Sequence, residues 1–150
     1  MRLWTVLVAL VVPLAASGAL LIGAPVPDRS GLARAPLQAT CILPEVPLER
    51  GDPARGEATF TRAGCIGCHT VRGVGGVIGP ELTAVALRAP SRAEAVGLSS
   101  PALYFVQSLV CPQAYVVEGY APVMLDWQQL NLTEQDLADL AAFLATLDGR

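Results

Sequence analysis

The sequence predicts an all-α domain of three to five short helices joined by long loops and preceded by an apolar N-terminal helix. An uncharged apolar run over residues 3–22 indicates the N-terminal helix, and capping residues followed by helically spaced apolar residues indicate the later ones. The 14 glycines and 12 prolines favour loops between the helices. Val116, Val117 and Val123 suggest at most a short strand, so no sheet is expected.

Residues 1–23 are predicted to form a transmembrane or signal-anchor helix. The 20 uncharged residues 3–22 would span about 30 Å as a helix, which is the thickness of a bilayer's hydrocarbon core. The positive charge of Arg2 favours an orientation with the N-terminus on the cytoplasmic side. A cleavable signal peptide has a shorter apolar core of about 7–15 residues, so we expect a single-pass membrane anchor. The alternative is secretion after cleavage. Both place the rest of the chain on the periplasmic or another extracytoplasmic side.

Composition excludes several classes of function. All ten basic residues are Arg, and the formal net charge is −3, which disfavours nucleic-acid binding. Without Lys, Schiff-base and P-loop chemistry are excluded. A single His rules out a metal site built from two histidines of one chain. No substrate pocket or acid–base pair is evident, so we do not expect an enzyme.

A proline-rich linker is predicted over residues 24–50, followed by the helical domain over residues 51–150. Prolines at five positions of the linker oppose helix formation. Asp52 and Pro53 have the character of an N-cap and a first helical residue, and this helix should continue to about Ala63. The glycine-rich stretch 73–80 should be a loop, with a short helix after it.

Two more helices follow. Ser99 or Ser100 should cap a helix over residues 101–110, which Pro112 would end. Thr133 opens the clearest helix of the chain. Its apolar stripe contains Leu137, Leu140, Ala141, Phe143, Leu144 and Leu147.

The residues Cys65-Ile66-Gly67-Cys68-His69 form a C-x-x-C-H motif, which is typical of covalent c-type haem attachment. Each thiol can form a thioether with one haem vinyl group, and His69 then lies next to the iron as an axial ligand. A redox dithiol would be expected near a βαβ pattern, which is absent. A zinc site would need a fourth ligand, for which only Cys41 or Cys111 is left.

The second axial ligand follows by elimination. Met1 and Met124 are the only methionines, and Met1 precedes the membrane segment. With no second His and no Lys, Met124 is the remaining soft ligand for the iron, although a methionine more often fills a gap in a core. His/Met ligation raises the reduction potential and favours electron transfer.

From about residue 51 to residue 148 the chain resembles a class I c-type cytochrome. Residues 56–60 and the following C-x-x-C-H motif look like the first helix and attachment site of that family. Residues 79–82, Gly-Pro-Glu-Leu, look like its Gly-Pro-x-Leu loop. Residues 120–124, Tyr-Ala-Pro-Val-Met, look like its methionine loop, and residues 133–147 look like its C-terminal helix.

The resemblance implies a small cytochrome c fold around one covalent haem c, with particular contacts. The carbonyl of Pro80 would accept a hydrogen bond from His69, which orients the ring. The first and last helices would cross, so that Gly56 and Phe60 pack near Phe143. Members of the family often have a proline after the ligand methionine, whereas this chain has leucine.

Other residues have more than one possible role. Arg72 or Arg88 could pair with a haem propionate or lie in solvent. Trp127, Tyr115 and Tyr120 could bind a propionate, although packing in the core is favoured. Cys41 and Cys111 could form a disulfide in an oxidising compartment, but sequence alone does not bring them within bridging distance.

The sequence therefore predicts a membrane-anchored, monohaem electron-transfer protein that carries single electrons between respiratory or photosynthetic redox complexes. Residues 115–120, before the methionine, resemble cytochromes associated with such bacterial complexes. One alternative is a permanently bound subunit of such a complex. The other is a haem sensor or peroxidase with a labile sixth ligand.

Overall fold

The computed structural model describes residues 41–150. The membrane segment expected over residues 1–23 and most of the linker expected over residues 24–50 lie outside this range. The described elements, in chain order, are α1 (Pro53–Arg62), β1 (Thr70–Val71), β2 (Val74–Gly75), α2 (Val85–Ala95), α3 (Pro101–Val110) and α4 (Glu134–Ala145), with short 3₁₀ turns at Leu48–Arg50 and Cys65–Gly67. Within residues 41–150, no helix combines the length and the apolar character needed to cross a membrane.

Helices α1, α3 and α4 begin directly after the capping residues that the sequence predicted. The Asp52 side chain accepts hydrogen bonds from the backbone N–H groups of the first turn of α1, and Ser100 caps α3 in the same way. Thr133 and Asp136 form a capping box at the start of α4. Each side-chain oxygen satisfies an N–H group that has no partner within the helix.

Helices α1 and α4 cross at the centre of the domain. The rings of Phe60 and Phe143 are in contact, with their centroids 5.6 Å apart. Gly56 lies where α1 touches the α4 backbone: a Cβ atom at this position would be 2.0 Å from the carbonyl oxygen of Asp139. The expected packing of residues 56 and 60 near Phe143 is therefore confirmed, and the apolar stripe of α4 is buried in the core.

A buried carboxylate joins the two crossing helices. Asp139, only 3% exposed, accepts hydrogen bonds from the Arg55 side chain at 2.7 Å through each oxygen. It also accepts from the backbone N–H of Asp52 and from the Gln135 amide. Four donors thus satisfy a charge that would otherwise be costly to bury.

Replacing Asp139 with asparagine removes the negative charge that Arg55 binds and is expected to lower the free energy of unfolding by about 2 kcal/mol. The loss is not larger because Arg55 is half exposed and remains partly hydrated. The Arg55 guanidinium holds the pKa of Asp139 below its usual value. Such a group stabilises the fold fully above the pKa of an unfolded aspartate, about 3.9, and the stability is lost as the pH falls through the lower folded pKa. The difference between wild type and D139N should therefore be constant from about pH 7 to about pH 5 and shrink in stronger acid.

Denaturant unfolding of the haem-loaded protein at several pH values measures this difference. Asp148→Asn is the matched control, because Asp148 pairs with the exposed Arg150 near the C-terminus. An equal loss of stability in D139N and D148N would show that the buried position of Asp139 has no special effect.

The glycine-rich loop contains a minimal hairpin, which was not expected. Thr70 pairs with Gly75 and Val71 with Val74 in an antiparallel ladder. The connecting residues, Arg72 and Gly73, both have positive φ, at 49° and 79°. This is the backbone that a two-residue hairpin turn requires, and β-branched residues flank it. The prediction that this stretch has no strand was wrong, because two-residue strands are too short to show an alternating pattern.

The short helix predicted after the glycine-rich stretch is present as α2. It extends over Val85–Ala95 and includes Pro90 in its interior. Proline cannot donate a backbone hydrogen bond, so Pro90 removes one hydrogen bond from the interior of α2. Burial of Val85, Ala89 and Ala93 on one face holds α2 in place against the core.

Cys41 and Cys111 form a disulfide, with Cα atoms 5.9 Å apart. The disulfide attaches residue 41 to the end of α3. The following residues also contact the domain: Leu43, Val46 and Leu48 pack against the core. Residues 41–50, at the end of the predicted linker, thus lie on the domain surface.

Candidate haem site

The C-x-x-C-H motif forms a tight turn directly after α1. Gly64, with φ of 78°, ends the helix and begins the 3₁₀ turn Cys65–Gly67. The backbone N–H groups of Cys68 and His69 both donate to the carbonyl of Cys65. The turn is what allows two cysteines and a histidine so close in sequence to line one cleft.

The two thiols differ in their surroundings. Cys65 is half buried and Cys68 is exposed. Burial raises the pKa of the Cys65 thiol, so Cys65 is protonated at neutral pH until it forms a thioether. Neither cysteine is in a disulfide, and both remain available for covalent attachment.

His69 is oriented by a hydrogen bond from its own ring. His69 is 8% exposed, and its Nδ1 lies 2.8 Å from the carbonyl oxygen of Pro80. Because a carbonyl only accepts, Nδ1 carries the proton, and Nε2 keeps a free lone pair for a metal. The hydrogen bond that the resemblance implied is present.

Glycines lie next to His69 at positions where a side chain would collide with its ring or its backbone. A Cβ atom on Gly79 would be 2.4 Å from Cε1 of His69, and one on Gly75 would be 2.1 Å from the His69 carbonyl oxygen. The loop is also held by hydrogen bonds from the N–H of Gly79 to the Cys68 carbonyl and from the N–H of Gly76 to the Ile66 carbonyl. The glycine-rich loop thus forms the rigid support of the His69 ring.

Met124 lies in the long loop between α3 and α4 and lines the same cleft. Its side chain is half buried and packs against the core. The N–H of Trp127 donates to the Leu109 carbonyl at 2.9 Å and attaches the loop to α3. Within the loop, the Gln113 amide donates to the Met124 carbonyl at 3.5 Å.

The cleft between these elements has a volume of about 270 Å³ and is largely apolar. Its walls include all five residues predicted for the site: Cys65, Cys68, His69, Pro80 and Met124. Helix α3 contributes Tyr104, Phe105, Ser108 and Leu109 to another wall. Such a cleft suits a large flat apolar ligand held by a few polar groups.

The structure separates the residues for which sequence allowed more than one role. Tyr115 and Tyr120 line the cleft, whereas Trp127 lines a separate cavity together with Cys111. Arg72 and Arg88 are not in the cleft wall; Arg72 donates to the Arg150 carbonyl, and Arg88 donates to the Glu81 carbonyl.

Arg92 lines the cleft, and sequence reasoning missed it. Its position four residues after Arg88, on the same helix, is the only signal in the sequence that pointed towards it.

The fold and the cleft define a small helical protein with a covalent haem-attachment turn. A family model described as Cytochrome c matches residues 53–148, nearly two-thirds of the chain. The chain therefore belongs to the cytochrome c family. No curated protein sequence matches the chain at significance. The four helices described, with their small amount of strand, are consistent with the small helical fold of this family.

Membership of the family means that the protein binds covalently attached haem c with its iron. The residues of the cleft fit that group: two free thiols lie beside a histidine with an available Nε2, next to a largely apolar cavity. A zinc site is not supported, because Cys41 and Cys111, the remaining sulfur ligands, are joined to each other.

Proposed function

We propose that this protein is a membrane-anchored monohaem electron carrier in which His69 and Met124 are the axial ligands of the iron. Electron transfer through haem is the activity of its family. The observation that carries the proposal is the hydrogen bond between His69 Nδ1 and the Pro80 carbonyl. It fixes the ring in one orientation and places the proton of the neutral imidazole on Nδ1, so that Nε2 is the nitrogen that can bind a metal.

Met124 is proposed as the second ligand because, apart from the two attachment cysteines, it carries the only soft donor atom in the described wall of the cleft. The phenol oxygens of Tyr104, Tyr115 and Tyr120 are harder donors. Apart from His69 and the two attachment cysteines, the cleft wall contains no His, Cys or carboxylate. A thioether sulfur is a soft, neutral ligand that stabilises reduced iron. Haem c supplies the reversible one-electron couple of its iron, and the chain's own groups set the potential and keep water from the site.

The mouth of the cleft supports exchange of electrons with another protein. Ile78, Val123 and Leu125 line the cleft and are each at least half exposed, at 59%, 59% and 50%. An exposed apolar rim beside a redox centre lets a partner approach closely and exclude water. We infer that the partners are larger respiratory or photosynthetic redox complexes.

The proposed location follows from the N-terminal sequence. Residues 3–22 form an uncharged apolar run with Arg2 before it, which is typical of a single-pass anchor with the following domain outside the cytoplasm. The Cys41–Cys111 disulfide supports an oxidising compartment. Secretion after cleavage of the N-terminal segment is the alternative.

Visible spectra of the haem-loaded protein test the ligation. The wild type should show the weak far-red band of ferric methionine-ligated haem, and its reduced spectrum should not change with carbon monoxide. Met124→Leu preserves apolar volume but removes the sulfur, so it should lose the band and bind carbon monoxide. Val123→Ala, on the same loop, should behave like the wild type. A wild type without the band that binds carbon monoxide would contradict stable Met124 ligation and favour a sensor or peroxidase.

A further inference from the structure

One cation lines the haem cleft, and it has no acidic partner among the described residues. Arg92 is half buried in the last turn of α2. Within residues 41–150, no carboxylate lies within salt-bridge distance of its side chain, and no Asp or Glu lines the cleft. A half-buried guanidinium in the wall of an apolar cavity is costly without a counter-charge, unless a ligand supplies the anion.

Tyr104 supports the Arg92 side chain. Nη1 of Arg92 donates to the Tyr104 hydroxyl at 3.4 Å. The Tyr104 ring is buried and packs edge-on against Tyr115, with ring centroids 5.8 Å apart. Both tyrosines line the cleft. One N–H group of the guanidinium is therefore used to hold its position, and the other four remain for a ligand.

Arg88 and Arg72, the two arginines that sequence offered as propionate partners, bind other groups of the chain. Arg88 donates to the Glu81 carbonyl at 2.7 Å and lies 3.8 Å from its carboxylate. Arg72 donates to the Arg150 carbonyl at 2.8 Å. Neither lines the cleft. The only anions that haem c brings to the site are its two propionate carboxylates, and a planar guanidinium can bind a carboxylate through two parallel hydrogen bonds.

We propose that Arg92, positioned by Tyr104, binds a propionate of the haem and raises its reduction potential. A positive charge beside the cofactor disfavours the additional positive charge of ferric iron, so it stabilises the reduced state. This inference rests on haem c being in the cleft, and it concerns the propionates rather than the iron ligands.

Two measurements on haem-loaded variants test the assignment. Spectroelectrochemical titration gives the midpoint potential, and the propionate bending band in the resonance Raman spectrum reports hydrogen bonding to the carboxylates directly. In Arg92→Gln we expect a lower potential, seen as a several-fold smaller ratio of reduced to oxidised haem at a fixed applied potential, together with a shifted propionate band.

Three further variants distinguish the effect of the positive charge at residue 92 from the effect of its hydrogen bonds to the propionate. Arg92→Lys should keep most of the potential but shift the Raman band, because the paired hydrogen bonds are lost. Tyr104→Phe should shift both readouts in the same direction as Arg92→Gln, but less. Arg72→Gln makes the same charge change outside the cleft and should leave both readouts unchanged.

The proposal is overturned if Arg92→Gln keeps the wild-type band, or if Arg72→Gln lowers the potential as much as Arg92→Gln does. If Arg92→Gln does not mature, an unchanged band in both Arg92→Lys and Tyr104→Phe overturns it equally. Failure of the proposed Met124 ligation would instead appear as a missing far-red band in the wild type, which the propionate band does not report.

Discussion

Replacing Gly56 with alanine is expected to lower the free energy of unfolding by about 3 kcal/mol, at the upper end of the usual cost of overpacking a core. Alanine is the better helix former by about 1 kcal/mol, so helix propensity alone predicts the opposite sign. The contact between helices decides the result. The new methyl group would lie 2.0 Å from the Asp139 carbonyl oxygen and 2.7 Å from Cβ of Phe143.

The clash cannot be relieved by a side-chain rotation. Its nearest atoms belong to the α4 backbone, so α1 and α4 would have to move apart. That movement would loosen the contact between Phe60 and Phe143 and the hydrogen bonds of Asp139 to the start of α1. Since the free energy of unfolding of a small domain is only about 5–15 kcal/mol, the expected loss is a large fraction of the total.

Denaturant unfolding of the haem-loaded G56A variant measures this loss. Ala58→Gly, at an exposed position of the same helix, is the matched control for helix propensity and should cost about 1 kcal/mol. A G56A protein more stable than the wild type would show that the new methyl group meets no close contact. The close crossing of α1 and α4 at Gly56 would then be wrong.

The second large effect is expected from removing the disulfide. The Cys41–Cys111 bond joins residues 70 apart in sequence, and in the chain-entropy model such a cross-link contributes about 4 kcal/mol by restricting the unfolded chain. In a double variant, C41S and C111S, the free energy of unfolding should fall by about this amount. The double change avoids leaving one free thiol that could pair with Cys65 or Cys68 before the haem is attached.

The haem spectrum of this double variant should not change, because neither sulfur lines the cleft. Unfolding in denaturant, followed by haem absorbance and by circular dichroism, measures the stability. Wild-type protein unfolded in the presence of a thiol reductant is the control and should approach the double variant. Equal midpoints for the variant and the untreated wild type would contradict a stabilising cross-link.

The elements that sequence predicted well are those with strong local signals. Asp52, Ser100 and Thr133 each cap a helix because their side-chain oxygens satisfy the free N–H groups of the following turn, which depends only on neighbouring residues. The apolar spacing of α4 identified its buried face for a similar reason.

Weaker local signals led to the errors. The hairpin of β1 and β2 has two residues in each strand, fewer than a period-2 pattern needs to be visible. The bounds of α2 could not be predicted, because it has no side-chain cap at its start and contains Pro90, and packing against the core stabilises it. For Arg72 and Arg88, sequence left open whether each pairs with a propionate or lies in solvent, and the structure places neither in the wall of the cleft.

By itself the sequence determined the cofactor class and the candidate iron ligands. The C-x-x-C-H spacing is chemically specific, and a chain with one His, no Lys and two Met leaves few ligands to consider. Only the tertiary structure decided that Cys41 and Cys111 are bonded, that Gly56 and Gly79 admit no side chain, and that Arg92 is the cation of the cleft. The physical reason is that ligand identity is a property of residue chemistry, whereas contacts between residues distant in sequence depend on how the helices pack.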